Sequence, residues 1–376
     1  MSEPFVVVMA GGNGARLWPA STPDHPKHLL GLAPGAASLL ATTLDRARAW
    51  AASQRTFVVT TAAQRPAILA LTPELPPEHI IAEPAGRNTA PCLHHAMLRV
   101  HAALRAADWS PAALRSAVVL ALPADHHIRD PRGLDRALRA AIAHAAAAQE
   151  IVTLGVQPTA PDTGYGYIER AEQPLHSGSP ALFHARRFIE KPDAARAREF
   201  FDSGRFLWNA GIFAFPLLRT LAAIDEHAPE LAAAFAPVAA ALAIGDDAAL
   251  TAALTAAYDR APAQPIDVAL LEKLPDLRVI PVEIGWDDLG SWAAVHALAE
   301  RDLQGNAALA PPGVTLQIAD SQDTLVWSDD AEIAVLGVRG LAVIASGGKI
   351  LVCPLDRAQE IRALAAHSAA QRRREP

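Results

Sequence analysis

A chain of 376 residues has room for two domains and a sizeable core at about 150 residues per domain. Its net charge of -7 argues against a general binder of nucleic acid or of membrane surfaces, so any positive field must be local. Cys92 and Cys353 stand far apart with no metal-ligand spacing, the first apolar run is too short for a signal peptide, and no apolar stretch reaches membrane-span length; a reduced, cytoplasmic protein is expected.

In chain order, Phe5-Val6-Val7-Val8-Met9 reads as a buried strand. It leads into Gly11-Gly12-Asn13-Gly14, where missing Cβ atoms let backbone N–H groups approach a ligand, phosphate above all. Arg16 and Lys27 then supply fixed positive charge, one as a fork and one as a point charge. A Walker A loop does not fit, since no Lys-Ser or Lys-Thr follows the glycines. A dinucleotide fingerprint does not fit either, because Ala15-Arg16-Leu17 and then Pro19 stand where its third glycine and helix belong. A glycine turn with no ligand is the competing reading.

The apolar runs Thr56 to Thr60, Ile80-Ile81, Val118 to Leu122 and Ile151 to Leu154 alternate with helical patterns at Leu39 to Ala52, Pro91 to Ala107 and Leu134 to Gln149. That alternation predicts an α/β fold with a doubly wound, parallel sheet, whose ligands sit beyond the carboxyl ends of the strands. Glu83-Pro84-Ala85-Gly86-Arg87-Asn88-Thr89-Ala90-Pro91 lies at such an end, with Thr89 placed to cap a helix starting at Pro91. Cys92, His94 and His95 do not converge as zinc ligands on that helix. Leu122-Pro123-Ala124-Asp125 ends an apolar strand on a carboxylate, which reads as a turn residue or a metal ligand.

Thr163-Gly164-Tyr165-Gly166-Tyr167-Ile168 brackets a tyrosine with glycines before a short strand. Phe188-Ile189-Glu190-Lys191-Pro192 and Leu207-Trp208-Asn209-Ala210-Gly211 follow, the first open to reading as a solvated charge pair and the second as a hairpin turn. Pro265-Ile266-Asp267 reads as a local helix start. Gly285-Trp286-Asp287-Asp288-Leu289-Gly290-Ser291-Trp292 precedes a helix running to about Arg301. Short strands then span Thr315 to Ile318, Thr324 to Trp327, Ile333 to Val338, Leu341 to Ile344 and Ile350 to Val352. Gly337-Val338-Arg339-Gly340 and Ser346-Gly347-Gly348-Lys349 read as turns, the latter as a hairpin. A helix from Leu355 to about His367 and a frayed Arg372-Arg373-Arg374 tail close the chain.

Six of these motifs, in order, resemble the nucleoside-diphosphate-sugar pyrophosphorylases, specifically the mannose-1-phosphate guanylyltransferases: G-G-N-G-A-R-L-W-P-A-S with P-K-H-L-L, E-P-A-G-R-N-T-A-P, L-P-A-D-H, T-G-Y-G-Y-I, F-I-E-K-P with W-N-A-G, and G-W-D-D-L-G-S-W. The resemblance implies a mixed, mainly parallel Rossmann-like (GT-A-like) catalytic domain over residues 1–300 and a small β-rich domain over 301–376. It implies transfer of GMP from GTP to α-D-mannose 1-phosphate, giving GDP-mannose and pyrophosphate, by a homodimer. Arg16 and Lys27 would be catalytic, with Gly11, Gly12, Gly14, Glu83, Arg87, Asn88, Thr89, Pro123 and Asp125 around the nucleotide. Gly164, Tyr165, Gly166, Glu190, Lys191 and Asn209 would hold the sugar phosphate. Asp125 and Asp288 would bind Mg²⁺, with Asp287 as the other candidate beside Asp288. Pro265 replaces a small polar residue in the family's S-I-D motif and His28 replaces Gln in its P-K-Q, leaving Asp267's role and the choice of nucleotide and sugar open. A sister nucleotidyltransferase, or a non-catalytic GDP-mannose-binding regulator that should have lost a charged site residue, are the alternatives. Many relatives of this kind continue into a phosphomannose isomerase domain; no isomerase activity is expected here.

Overall fold

The computed structural model describes residues 3–365 except 13, 32, 34, 176, 177 and 179; the Arg372-Arg373-Arg374 tail lies outside them. The chain forms two compact units built from separated segments. The first holds Met1–Gly11, Arg46–Pro123 and Ile128–Trp286; the second holds Gly12–Asp45, Ala124–His127 and Asp287–Pro376.

In the first unit, nine strands among the described residues make one sheet. They are β1 (Phe5–Ala10), β2 (Thr56–Thr61), β3 (Ile80–Glu83), β4 (Val118–Pro123), β5 (Val152–Val156), β6 (Tyr167–Arg170), β7 (Phe183–Ile189), β8 (Phe206–Pro216) and β9 (Arg278–Val282). Their spatial order is β3-β2-β1-β4-β8-β5-β9-β7-β6. The β3-β2-β1-β4 half is parallel, as is the β5–β9 pair, while β8 runs antiparallel to both β4 and β5. The Trp208-Asn209-Ala210-Gly211 stretch is thus no hairpin turn but the middle of a long interior strand. Gly211 takes φ 65 there, and the pairing register with β5 shifts between Thr153 and Gly155.

Alternation along the strands gives the sheet two buried faces. Phe5 and Val7 of β1 face one core together with α1 (Thr89–Ala106), α3 (Leu217–His227), α4 (Pro229–Ile244) and α5 (Asp247–Arg260). Val6 and Val8, equally buried, point the other way. The long helix α2 (Pro131–Ala148) buries Leu134, Leu138, Ala141, Ile142 and Ala145 at helical spacing and packs on β4, β5, β8 and β9. Pro131 at its first position and the Asp130 carboxylate on the Gly133 N–H start it; Gln149 in the left-handed region ends it.

The second unit packs Leu17, Leu30, Leu289, Trp292, Trp327, Ile344 and Leu351 into a core of its own. Its α7 (Trp292–Leu298) stops short of Arg301. Strands β10 (Ala307–Leu309), β12 (Leu325–Ser328) and β14 (Leu341–Ser346) stack in parallel, and β11 (Leu316–Ala319) and β13 (Ile333–Leu336) form a second parallel pair. This is a β-helix, so Gly337–Gly340 is a corner between two sheets. Among the described residues of this unit, only β14 and β15 (Lys349–Pro354) form an antiparallel hairpin, through Gly347 and Gly348 at φ 52 and 71. A one-sided strand alternates identically in either arrangement, which is why the pattern did not distinguish them. The closing segment starts as a 3-10 helix, Leu355–Glu360, and stays helical to residue 365.

Candidate active site

Parallel pairing sets the tips of β1, β2, β3 and β4 on one edge of the sheet, with Met9 aligned on Pro123, Ala10 on Thr60 and Thr61 on Glu83. At that edge the Glu83 side chain turns inward. Its Oε1 accepts the Tyr258 hydroxyl at 3.0 Å, and a Cβ on Gly11 would lie 3.5 Å from its Oε2. His95 Nδ1 stands 3.2 Å from the same hydroxyl, completing a buried chain that no sequence motif announced. Burial pushes the Glu83 carboxyl up to about 7, against the opposing pull of the Tyr258 hydrogen bond.

The E-P-A-G-R-N-T-A-P motif differs from expectation in one respect. Asn88, at φ 70, caps α1 by accepting the Thr89 N–H at 2.9 Å, so the helix begins at Thr89 instead of Pro91. The Thr89 hydroxyl serves another element: it accepts the Ile266 N–H at 2.9 Å and so caps α6 (Ile266–Ala269). Arg87 is half-buried in the loop before it.

In the same unit, the glycine-bracketed tyrosine meets the E-K-P and W-N-A-G motifs. The Asn209 N–H donates to the Gly166 carbonyl at 2.8 Å, and a Cβ on Gly166 would lie 2.8 Å from Glu190 Oε2. A side chain at Gly166 would push the Glu190 carboxylate aside. Tyr165 is held between Trp208 and Trp286, at 4.9 and 5.2 Å between ring centroids. Gly164 donates to Asp162 at 2.6 Å. Lys191, at φ 41, pairs with its neighbour Glu190.

Arg16, Lys27, Asp125 and Asp288 all belong to the second unit. Lys27 is buried, and its Nζ donates to Asp125 Oδ2 at 2.7 Å and to the Asp288 main-chain carbonyl. Asp288 Oδ2 faces Arg16 Nη2 at 3.9 Å and its Oδ1 accepts the Gly290 N–H; Asp287 instead turns its carboxylate to the Leu289 N–H at 2.6 Å. Trp292 Nε1 donates to the Trp18 carbonyl, which ties the G-W-D-D-L-G-S-W motif to the segment carrying Arg16. Arg16 Nη1 also donates to Gln359 at 2.7 Å, a contact that no motif or spacing foreshadowed. Loss of water pushes the Asp125 carboxyl up, but the Lys27 ammonium and His126 outweigh it and hold it below the usual carboxylate range. His28 is buried and its imidazole lowered to about 4 by that burial, so it sits neutral with a hydrogen bond to the Gly12 backbone.

Gly14 shows why the loop needs glycine. It takes φ 58, and a Cβ there would overlap the Cβ of Lys27. Gly14→Ala should displace Lys27 and cost at least about 1–3 kcal/mol of stability from backbone strain alone. Denaturant melts check this, and an unchanged midpoint would contradict the packing.

The doubly wound sheet of the first unit is that of an α/β protein whose ligands sit beyond the carboxyl ends of its strands. Comparison with known proteins narrows the class. The Nucleotidyl transferase family model matches residues 5–305, and a MannoseP isomerase/GMP-like beta-helix domain matches residues 317–366. The chain belongs to the nucleotidyl transferase family. It is 35% identical to the xanthan biosynthesis protein XanB of Xanthomonas campestris pv. campestris (strain ATCC 33913), over 96% of this chain and 72% of that protein. It is 31% identical to a mannose-1-phosphate guanylyltransferase of Escherichia coli (strain K12), with the same coverage of each. A crystal structure described as a mannose-1-phosphate geranyltransferase, from Thermus thermophilus, aligns with TM-score 0.83 at 29% identity over 98% of this chain and 100% of that one. No described helix is long and apolar enough to cross a membrane.

Proposed function

We propose that the chain transfers GMP from GTP to α-D-mannose 1-phosphate, releasing pyrophosphate and forming GDP-mannose. The observation that carries this reading is the Lys27 ammonium joined to Asp125 and Asp288, with Arg16 alongside, in a member of the nucleotidyl transferase family. A sugar phosphate is already ionised near neutral pH, so it needs no general base to attack the α-phosphorus in line with the departing pyrophosphate. What the protein supplies is position and positive charge. Arg16 neutralises charge building on the pyrophosphate, and Lys27 binds phosphate oxygens. Gly12, where an added Cβ would meet nothing within 4 Å, leaves room for a phosphate, and Gly14 leaves room for Lys27. Glu83, Arg87, Asn88 and Thr89 lie on the nucleotide side, and Gly164, Tyr165, Gly166, Glu190, Lys191 and Asn209 on the sugar side.

Asp125 and Asp288 offer hard oxygen donors suited to Mg²⁺; the reading is supported by one Lys27 ammonium that bonds both the Asp125 carboxylate and the Asp288 main-chain carbonyl. When bound there, Mg²⁺ supplies charge neutralisation and polarisation of the phosphates. Asp288→Asn is expected to raise the Mg²⁺ concentration for half-maximal activity by about tenfold or more, as loss of a carboxylate ligand should. An unchanged Mg²⁺ titration would assign the metal elsewhere. A cytoplasmic homodimer is part of the same reading; light scattering tests the assembly.

Pyrophosphate release across a panel of NTPs and sugar 1-phosphates tests the function. GTP with mannose 1-phosphate should give the highest kcat/KM. Preference for another pair would make this a sister enzyme, and no release with any pair would leave a binding protein.

A further inference from the structure

Asp267 sits on α6 and is nearly buried, with 9% of its surface exposed. Its Oδ1 accepts Asn209 Nδ2 at 2.7 Å, while Asn209 Oδ1 accepts the Gly211 N–H at 3.0 Å. Both ends of the Asn209 amide are therefore engaged, and only one orientation satisfies them. A flip would turn the amide oxygen toward the carboxylate and its NH₂ toward the Gly211 donor. Protonating Asp267 would relieve the first clash and leave the second. One N–H of Asn209 remains uncommitted in this pairing and is left to donate to a ligand.

The surroundings give that donor a use. Asn209 and Glu190 both pack against Gly166, so a carboxylate acceptor and an amide donor border the same glycine. Burial, with Glu190 and Glu272 nearby, pushes the Asp267 carboxyl up to about 6, which leaves it ionised and able to accept at neutral pH. The Thr89 hydroxyl caps the helix that carries Asp267, so the bracket is anchored at its far end.

Resting on the functional reading above, we propose that Asp267 is a positioning residue for the sugar phosphate: it locks Asn209 as the hydrogen-bond donor to one sugar hydroxyl, opposite Glu190 as acceptor. Steady-state kinetics with GTP, Mg²⁺ and mannose 1-phosphate test this. Asp267→Ala should raise KM for mannose 1-phosphate by about 3–10-fold, the size of one oriented hydrogen bond, with KM for GTP unchanged. Asn209→Ala should do the same, and the double variant should be no worse than Asn209→Ala alone. Asp267→Asn keeps an acceptor oxygen and should restore KM to within about twofold of the unaltered chain.

Equal rises in both KM values, additive effects in the double variant, or a change in thermal stability alone would overturn the proposal. Absence of turnover by the unaltered chain would overturn the functional reading and this proposal with it. Failure confined to the variants would overturn this proposal alone.

Discussion

Lys27→Ala should lower turnover by about 10²–10³-fold while KM for GTP changes by less than about tenfold. The side chain is only 8% exposed, its stem fills the space beneath Gly14, and its ammonium is committed to Asp125 and the Asp288 carbonyl. A cation held this way needs no reorganisation as charge builds on the phosphates, which makes its contribution larger in the transition state than in the ground state. Breaking its ion pair also has a structural cost. Asp125 keeps 29% of its side chain exposed, so water can replace part of what the ammonium provided and the variant should still fold. Lys27→Arg keeps the charge but adds bulk under Gly14, and should recover little. Pyrophosphate release, with circular dichroism as a check on folding, decides the matter. A rise in KM alone would make Lys27 a ground-state binder.

The second large effect is a loss of stability in mild acid. His28 and His94 are lowered to about 4 and His95 to about 3, each chiefly by burial. A histidine whose folded pKa is depressed contributes stability that is present above its unfolded value near 6.5 and is lost as pH falls toward the folded value. Between pH 7 and 5 each therefore costs about 2 kcal/mol. Glu83 and Asp267 act in the opposite direction. Their folded pKa values are raised to about 7 and about 6, so the folded state takes up protons first and gains stability as pH falls. Together they offset more than half of the histidines' loss. A net loss of about 2 kcal/mol is still a sizeable fraction of the ~5–15 kcal/mol that holds a typical domain folded. Urea titrations at pH 7, 6 and 5 and constant ionic strength should show midpoints falling throughout. Glu83→Gln, which still accepts the Tyr258 hydroxyl but takes up no proton, should steepen the fall. A flat profile would mean that His94 and His95 are not neutral in the folded chain.

Much of the molecule was legible from residue order. The apolar run at Phe5, the glycines after it and the second apolar run from Val118 to Leu122 are local signals, and strands, loop and sheet class follow from them. Gly11, Gly14, Arg16 and Lys27 stood out by type and spacing and Asp125 by its place at a strand end, whereas Glu190 and Asn209 stood out only through the family resemblance. What spacing could not supply is partnership. That Thr89 caps a helix 177 residues away, that Tyr258 and His95 stand behind Glu83, and that Gln359 reaches Arg16 depends on distant segments meeting.

The sequence by itself determined the elements, the glycine positions and the kind of chemistry, because backbone freedom, side-chain period and charge are properties of neighbouring residues. Tertiary structure alone decided that segments 12–45 and 124–127 leave the sheet's unit for the one containing Asp288, and that the C-terminal strands coil in parallel. It also decided that Lys27 joins two aspartates from far along the chain. Those outcomes follow from burial and hydrogen-bond satisfaction summed over the whole fold, and no local window carries that sum.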